Sequence, residues 1–284
     1  MKKFDYYMPE SLQEALGLME KQKGRARYIA GGTDVIVRIK QRAIEPDALI
    51  SLRHIQDLAG VHWNGGLRLG SMTVFRDVER DEKIARAFPA LHQAVSVLAN
   101  PQVRNVATLG GNLANAAPSA DCAPPLLVLG ATAEIEGPGG SREVPLEAFF
   151  EGPGQTCLDG TELLEAVRVP GREKGSGTAF LKTGRVSQDI ALINAAAYVV
   201  MEGKVCRTCR LAAGAVAPVP LRLRKAEKAV EGREITPELL EEVKQVVEGE
   251  VSPITDVRTT AEYRRIMSGV LVKRALVQAV REAG

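Results

Sequence analysis

The chain has 284 residues, enough for two domains, and 45% of them are apolar, which suits a full hydrophobic core. A net charge of +2 supplies no long-range field for nucleic acid or an anionic membrane. Aromatics make up only 4%, too few for base-stacking platforms or sugar-binding clefts.

The opening "MKKFDYYMPESLQEAL" has no continuous apolar run. Neither a signal peptide nor a transmembrane segment is expected, and the protein reads as cytoplasmic. Ser11 with Glu14 forms a capping box, and Leu12, Ala15, Leu16 and Met19 follow at helical spacing. "RARYIAGG" reads as a strand ending in a glycine turn, "TDVIVRIKQRA" as a helix started by Thr33 or Asp34, and "PDALISL" as a further strand. A hairpin is expected at Asn64-Gly65. Ile84, Ala87, Phe88, Leu91, Val95 and Leu98 recur at helical spacing, with Pro89 placed to break the run. "LLVLGATAEIEGPGGSREV" and "ELLEAVRVP" read as strand-rich, and "GREKGSG" (171–177) as the linker. Beyond it "GTAFLKTGR", "ALINAAAYVVME" and "VCRTCRLAAGAVA" read as strands of a small sheet. Thr236 and Pro237 open a helix, and the last helix carries Tyr263, Ile266, Met267, Val270, Leu271 and Leu276.

Four cysteines are present, and only Cys206 and Cys209 stand at CxxC spacing. One such pair does not close a tetrahedral thiolate site, and His54, His62 and His92 are scattered, so no metal site is expected. Cys206 and Cys209 fall in a predicted strand, where residues three apart point to opposite faces.

Two stretches carry the chemistry. "AGGTD" (30–34) and "TLGGN" (108–112) each put Gly-Gly after an apolar segment. Glycine lets a ligand approach main-chain N–H groups with no Cβ in the way, and successive N–H groups make an anion-binding nest. The helix expected from Thr33 adds about half a positive charge at its start. Each hydrogen bond to a charged oxygen is worth roughly 1.5–3 kcal/mol, so a few such bonds hold a diphosphate without a lysine. Neither stretch carries Gly-Lys-Ser/Thr or GxGxxG, which speaks against a nucleoside-triphosphate loop and a nicotinamide site. A tight turn without a ligand explains one glycine pair. Two pairs, the second followed by the small residues of "ANAAPSAD", leave a shallow channel for a planar ring and a polar chain.

The residues "YIAGGTDVI", "PQVRNVATLGGNLANAAPSAD", "FFEGPGQTCLDGTELL", "LKTGR…DIALINAA", "LAAGAVAPVPLR" and "TTAEYRRIMSGVLVKRAL" occur in an order that resembles the FAD-binding medium subunit of the molybdenum hydroxylases, which include xanthine and carbon monoxide dehydrogenases. The resemblance covers nearly the whole chain. It implies an α+β fold of the vanillyl-alcohol-oxidase type. Two FAD-binding subdomains (1–55 and 56–170) would precede a C-terminal domain (178–284) of a small antiparallel sheet and helices. It implies that Ile29, Ala30, Gly31, Gly32, Thr33 and Asp34 hold the diphosphate and ribityl chain, with Thr108, Leu109, Gly110, Gly111 and Asn112 as a second cradle. Asp121 would accept from sugar hydroxyls, Leu164 would pack near the adenine, and Lys182 would reach the flavin ring.

By the same resemblance, molybdopterin and two [2Fe-2S] clusters sit on a large and a small partner subunit in a dimer of heterotrimers. This chain would pass their electrons through FAD to an external acceptor, with no catalytic acid or base and no membrane span. Four closely grouped cysteines are missing, so no extra iron–sulfur cluster is expected here. Two other readings use the same turns. A free-standing FAD-dependent oxidase or reductase would turn over a small substrate by itself, and a scaffold subunit without flavin would lack the flavin absorption bands.

Overall fold

Ser11 caps the first helix as its spacing predicts: its hydroxyl accepts from the Glu14 amide at 3.2 Å. The Glu14 carboxylate accepts from the amide of Glu10 at 3.0 Å, so the box closes one residue before the cap. The computed structural model describes residues 2–284, and this helix, α1 (Leu12–Gln22), joins β1 (Asp5–Tyr7) to β2 (Ala26–Ile29). A glycine turn, α2 (Val35–Lys40) and β3 (Ala48–Ser51) complete a parallel sheet of order β1-β3-β2. β2 is an edge strand, so the chain leaves it with one side of the backbone unpaired.

The hairpin of β4 (Val61–Trp63) and β5 (Gly66–Gly70) turns at Asn64 and Gly65. Short helices follow: α3 (Phe75–Arg80), α4 (Glu82–Ala87), α5 (Pro89–Ser96), α6 (Pro101–Arg104), α7 (Leu109–Ala114) and α8 (Ala123–Val128). Pro89 divides α4 from α5, as predicted. After β6 (Thr132–Gly137), β7 (Gly140–Pro145), β8 (Phe150–Gly152) and β9 (Gln155–Thr156), β10 (Leu163–Pro170) returns to the centre of an antiparallel sheet of order β4-β5-β10-β6-β7. Two expectations fail here. "LLVL" begins in helix α8, not in a strand; prolines occupy its first turn and every residue of it is buried. A short apolar run buried all round has no period to tell helix from strand. "TLGGN" is not a glycine turn like "AGGTD" either, because Thr108 caps α7 and both glycines lie inside that helix.

The third sheet is antiparallel: β11 (Ser176–Thr183), β12 (Ile193–Glu202), β13 (Val205–Gly214) and β14 (Leu221–Arg222) in that order, with β15 (Arg233–Glu234) beside β13. β11 takes up the last two residues of the predicted linker. Helices α9 (Arg224–Val230), α10 (Pro237–Glu250) and α11 (Ala261–Ala283) follow. Along β12, Ala195, Ala197 and Val199 enter the core beneath α10 and α11, while Ala196, Tyr198 and Val200 join the central core. The sheet thus has one face on its own helices and one on the preceding half of the chain. No helix among the described residues is long and apolar enough to cross a membrane.

The cysteine expectation is overturned. A register shift between Val200 and Met201 leaves Arg207 opposite no residue of β12, which is a β-bulge. The extra residue resets the alternation, so Cys206 and Cys209 both enter the core under the helices and are essentially unexposed. Arg207 instead reaches outward to Glu173 and Glu202. Burial also pushes the Cys122 thiol well above its usual range. Cys157 is the one cysteine with solvent access. A thiol-specific chromogenic reagent should therefore label one thiol in the native chain and all four only in denaturant, and rapid labelling of Cys206 or Cys209 would contradict the bulge.

Asp256 ties the start of α11 to the third sheet. Its carboxylate accepts from Arg258 Nη2 at 2.6 Å and Arg264 Nη2 at 2.8 Å, while Arg264 Nη1 donates to the Ala215 carbonyl at 3.0 Å. Hydrogen bonding from Arg258 holds the Asp256 carboxyl well below the usual carboxylate range. A depressed folded pKa gives stability that is present above the unfolded value, about 4, and is lost as the pH falls below it. The urea midpoint should drop on going from neutral pH to below pH about 4, and Asp256→Asn should start lower and fall less. Equal acid slopes for the two proteins would remove Asp256 from the account.

Candidate functional site

Three segments far apart in the chain meet around one cavity of about 680 Å³, within the roughly 300–1,000 Å³ typical of cofactor sites. The first is the turn after β2. Gly31 packs so closely on residues 106–107 that a Cβ there would stand 2.0 Å from the Val106 carbonyl oxygen. Gly32 has φ +75°, in the left-handed region. Asp34 makes no side-chain cap bond to α2, and the only partner of the Thr33 hydroxyl is the Asp34 carboxylate, at 3.4 Å. Among the described residues, the amides from Ala30 to Val35 donate to no acceptor of the chain. The expected capping by Thr33 or Asp34 is therefore absent, and a row of N–H groups stays free. α2 has only six residues, so these amides matter more than the helix dipole.

The second segment is held rigidly. Arg104, almost fully buried, donates to both Glu79 oxygens at 3.1 and 3.0 Å and to the Leu98 carbonyl at 2.8 Å. Phe75 donates its amide to Ala107 at 3.0 Å, Leu109 to Thr73 at 3.0 Å and Gly110 to Ser71 at 2.8 Å. Gly110 is required by this contact: a Cβ would lie 2.4 Å from that of Ser71. The Gly111 amide donates to the Thr108 hydroxyl at 3.1 Å. The second cradle is thus not a nest of bare amides. Its N–H groups from Leu109 to Asn112 are spent within the chain, and it offers side chains and closely packed carbon instead.

The third segment brings Asp121 against the C-terminal sheet. Its carboxylate accepts from Lys182 Nζ at 2.6 Å and from Asn194 Nδ2 at 2.9 Å. Lys182 also donates to the Val97 carbonyl at 3.3 Å. Both members of the ion pair are less than a tenth exposed. Burial pushes the Asp121 carboxyl up, while Lys182 and Asn194 pull it back. Lys182 therefore faces the cavity as half of an ion pair, a partner that its motif did not show.

Ala30, Gly31, Gly32, Thr33, Asp34, Thr108, Gly110, Gly111, Asn112, Asp121, Leu164 and Lys182 all line the cavity. Ile29 and Leu109 do not: Ile29 packs with Ile39 and Leu49, and Leu109 lies in the central core. The sequence reading missed Arg27, Tyr28, Arg38, Ser71 and Asn115 in the wall. Arg27 and Arg38 are cationic side chains with no ion-pair partner among the described residues. Their signal was position, one on the edge strand β2 and one a turn into α2. Ser71 Oγ and Asn112 Oδ1 are buried without a hydrogen-bond partner. Free amides, two unpaired arginines and two orphaned polar atoms around one cavity fit a dinucleotide with an anionic bridge and a polar chain.

Residues 2–172 match the family model described as "FAD binding domain in molybdopterin dehydrogenase", and residues 178–279 match "CO dehydrogenase flavoprotein C-terminal domain". The chain belongs to this FAD-binding family. It is 34% identical over 98% of its length, and 97% of the relative, to the xanthine dehydrogenase FAD-binding subunit of Escherichia coli O157:H7. It is also 34% identical to the carbon monoxide dehydrogenase medium chain of Afipia carboxidovorans, covering 97% of this chain and 96% of that one. A solved carbon monoxide dehydrogenase from Hydrogenophaga pseudoflava superposes with TM-score 0.97 at 32% identity, over 100% of this chain and 99% of the other. This flavoprotein is thus an oxidoreductase component with FAD as its cofactor, on the α+β fold of carbon monoxide dehydrogenase medium chains.

Proposed function

We propose that this chain is the electron-transfer flavoprotein of a molybdenum hydroxylase. It would take electrons from [2Fe-2S] clusters on a small subunit, supplied by a molybdopterin-bearing large subunit, and pass them to an external acceptor. The reading includes a cytoplasmic dimer of heterotrimers and subdomains at 1–55, 56–170 and 178–284. The observation that carries it is the run of unpaired amides from Ala30 to Val35 in the cavity wall.

In this reading the amides from Ala30 to Asp34, with Arg27 and Arg38, neutralise the diphosphate. Thr108, Gly110, Gly111 and Asn112 bound the polar chain, with the packing of Ile29 and Leu109 holding both segments in place. Leu164 lies toward the adenine, Asp121 accepts from the sugar hydroxyls, and its ion-pair partner Lys182 reaches the ring. FAD, when bound, supplies a carrier that accepts single electrons and delivers two. The residues of this chain bind, orient and tune it; none is asked to move a proton.

The test is purification of the native complex through a tag on this chain, followed by cofactor and metal analysis. FAD, molybdenum and iron should co-purify, and the flavin of the chain alone should stay oxidised when small substrates are added. Turnover by the isolated chain would favour a free-standing oxidase. A chain that takes up no FAD would fit a scaffold subunit and end the proposal.

A further inference from the structure

Lys182 of β11, Asn194 of β12 and Gly214 of β13 stand opposite one another across three strands, on the face turned toward the cavity. Residues 118–121 lie over this row. Asp121 accepts from both Lys182 and Asn194, and Asn194 Nδ2 also reaches the Ala120 carbonyl at 3.4 Å. The Ala215 amide donates to the Pro118 carbonyl at 2.6 Å. Gly214 leaves room for this seating: a Cβ would lie 2.3 Å from Asn194 Oδ1 and 3.0 Å from the Pro118 carbonyl oxygen.

Asn194 is completely buried, and its Oδ1 has no hydrogen-bond partner. Both atoms that Nδ2 meets are acceptors, so the amide cannot be turned round. Leucine has the same branched heavy-atom skeleton, though bulkier, and would leave no buried acceptor unpaired. What asparagine adds is a donor aimed at Asp121.

We propose that Asn194 is a positioning residue of the flavin site. It anchors the Asp121 carboxylate against Lys182 and thereby sets how much positive charge Lys182 presents to the flavin. The inference rests on the reading that places Lys182 beside the ring. With the amide donor in place, the carboxylate stays bound to the ammonium, and the cavity senses a compensated pair. Without it Asp121 loses one of its two side-chain anchors, and Lys182 is less compensated. A freer cation favours the more negative, reduced flavin.

The test uses the full chain loaded with FAD, with the midpoint potential read by redox titration and FAD affinity by fluorescence. Asn194→Leu should change the ratio of affinities for reduced and oxidised flavin about tenfold, raising the two-electron midpoint by about 30 mV. In an Asp121→Asn background the same substitution should add nothing, because no carboxylate remains to be anchored. A purely structural asparagine would move both backgrounds alike and overturn the proposal. Asn194→Asp keeps the volume and serves if the leucine variant does not fold. At mildly alkaline pH its carboxylate faces that of Asp121, and the midpoint should fall instead. If Asp121→Asn shifts the potential and neither Asn194 variant does, this proposal alone is wrong. If Asp121→Asn leaves the potential unchanged, the placing of Lys182 beside the ring is wrong, and this inference fails with it.

Discussion

Gly31→Ala should yield a chain that purifies without flavin. The added methyl group would stand 2.0 Å from the Val106 carbonyl oxygen and 2.9 Å from the Ala107 Cα, both main-chain atoms. That segment cannot yield, because Arg104 and the Phe75 amide hold it from behind. The turn at 30–34 must move instead, carrying its free amides away from the cavity. Overpacking of this kind costs about 1–3 kcal/mol of stability. The functional loss is larger: two charge-assisted hydrogen bonds at roughly 1.5–3 kcal/mol each correspond to at least about a hundredfold in FAD affinity. Gly17→Ala is the control. Gly17 lies in α1 away from the cavity, and a methyl group there would meet nothing within 4 Å. Flavin absorbance per protein, together with a melting curve, separates the two. Equal flavin content would show that the close approach at residue 31 does not position the ligand.

Asp121→Ala should be the most destabilising single change at the site. It leaves the Lys182 ammonium in a wall where it is 8% exposed, with only the Val97 carbonyl as partner. Breaking a buried pair from one side costs about 3–5 kcal/mol, read as a lower urea midpoint. Lys182→Met should cost less. The Asp121 carboxyl, already pushed up by burial, keeps the Asn194 donor and can take a proton. The sign follows from linkage. A carboxyl whose folded pKa is raised stabilises the fold below its unfolded value, about 4, and loses that contribution as the pH rises through the folded pKa. The Lys182→Met chain should therefore lose stability relative to the parent toward alkaline pH. The double variant Asp121→Leu/Lys182→Met should recover most of the loss of Asp121→Ala, since an apolar pair leaves no charge uncompensated. Additive losses would mean that the two side chains do not act as a pair.

The sequence revealed what depends on near neighbours. The Ser11 cap, the break at Pro89 and the Asn64-Gly65 hairpin each follow from a few adjacent residues, and each is present. The two glycine pairs could be read as close approaches to a ligand, and both line the cavity. Their difference could not be read. Whether an amide is free depends on the segment across from it: residues 71–73 absorb the N–H groups of Leu109 and Gly110, while β2 at its sheet edge leaves the Ala30–Val35 amides unpaired. The Cys206 and Cys209 prediction failed because one bulged residue, Arg207, reverses the parity that the pattern assumes. Lys182 was singled out by its motif, but its neutralisation was not, since Asp121 lies 61 residues earlier and meets it only through packing. Asn194 sits unmarked among alanines and isoleucine in "INAAA", and only cross-strand register puts it beside Lys182.

The Gly31 turn precedes the row from Lys182 to Gly214 in the chain and so leaves the ribosome before it. Domains form as units, beginning at the amino end. One wall of the cofactor cleft therefore takes shape before the opposing wall exists, so tight flavin capture must await synthesis of the third sheet. FAD then acts as a late clasp between early and late segments, and a cell short of flavin would accumulate finished chains that breathe at this seam and fall first to proteases.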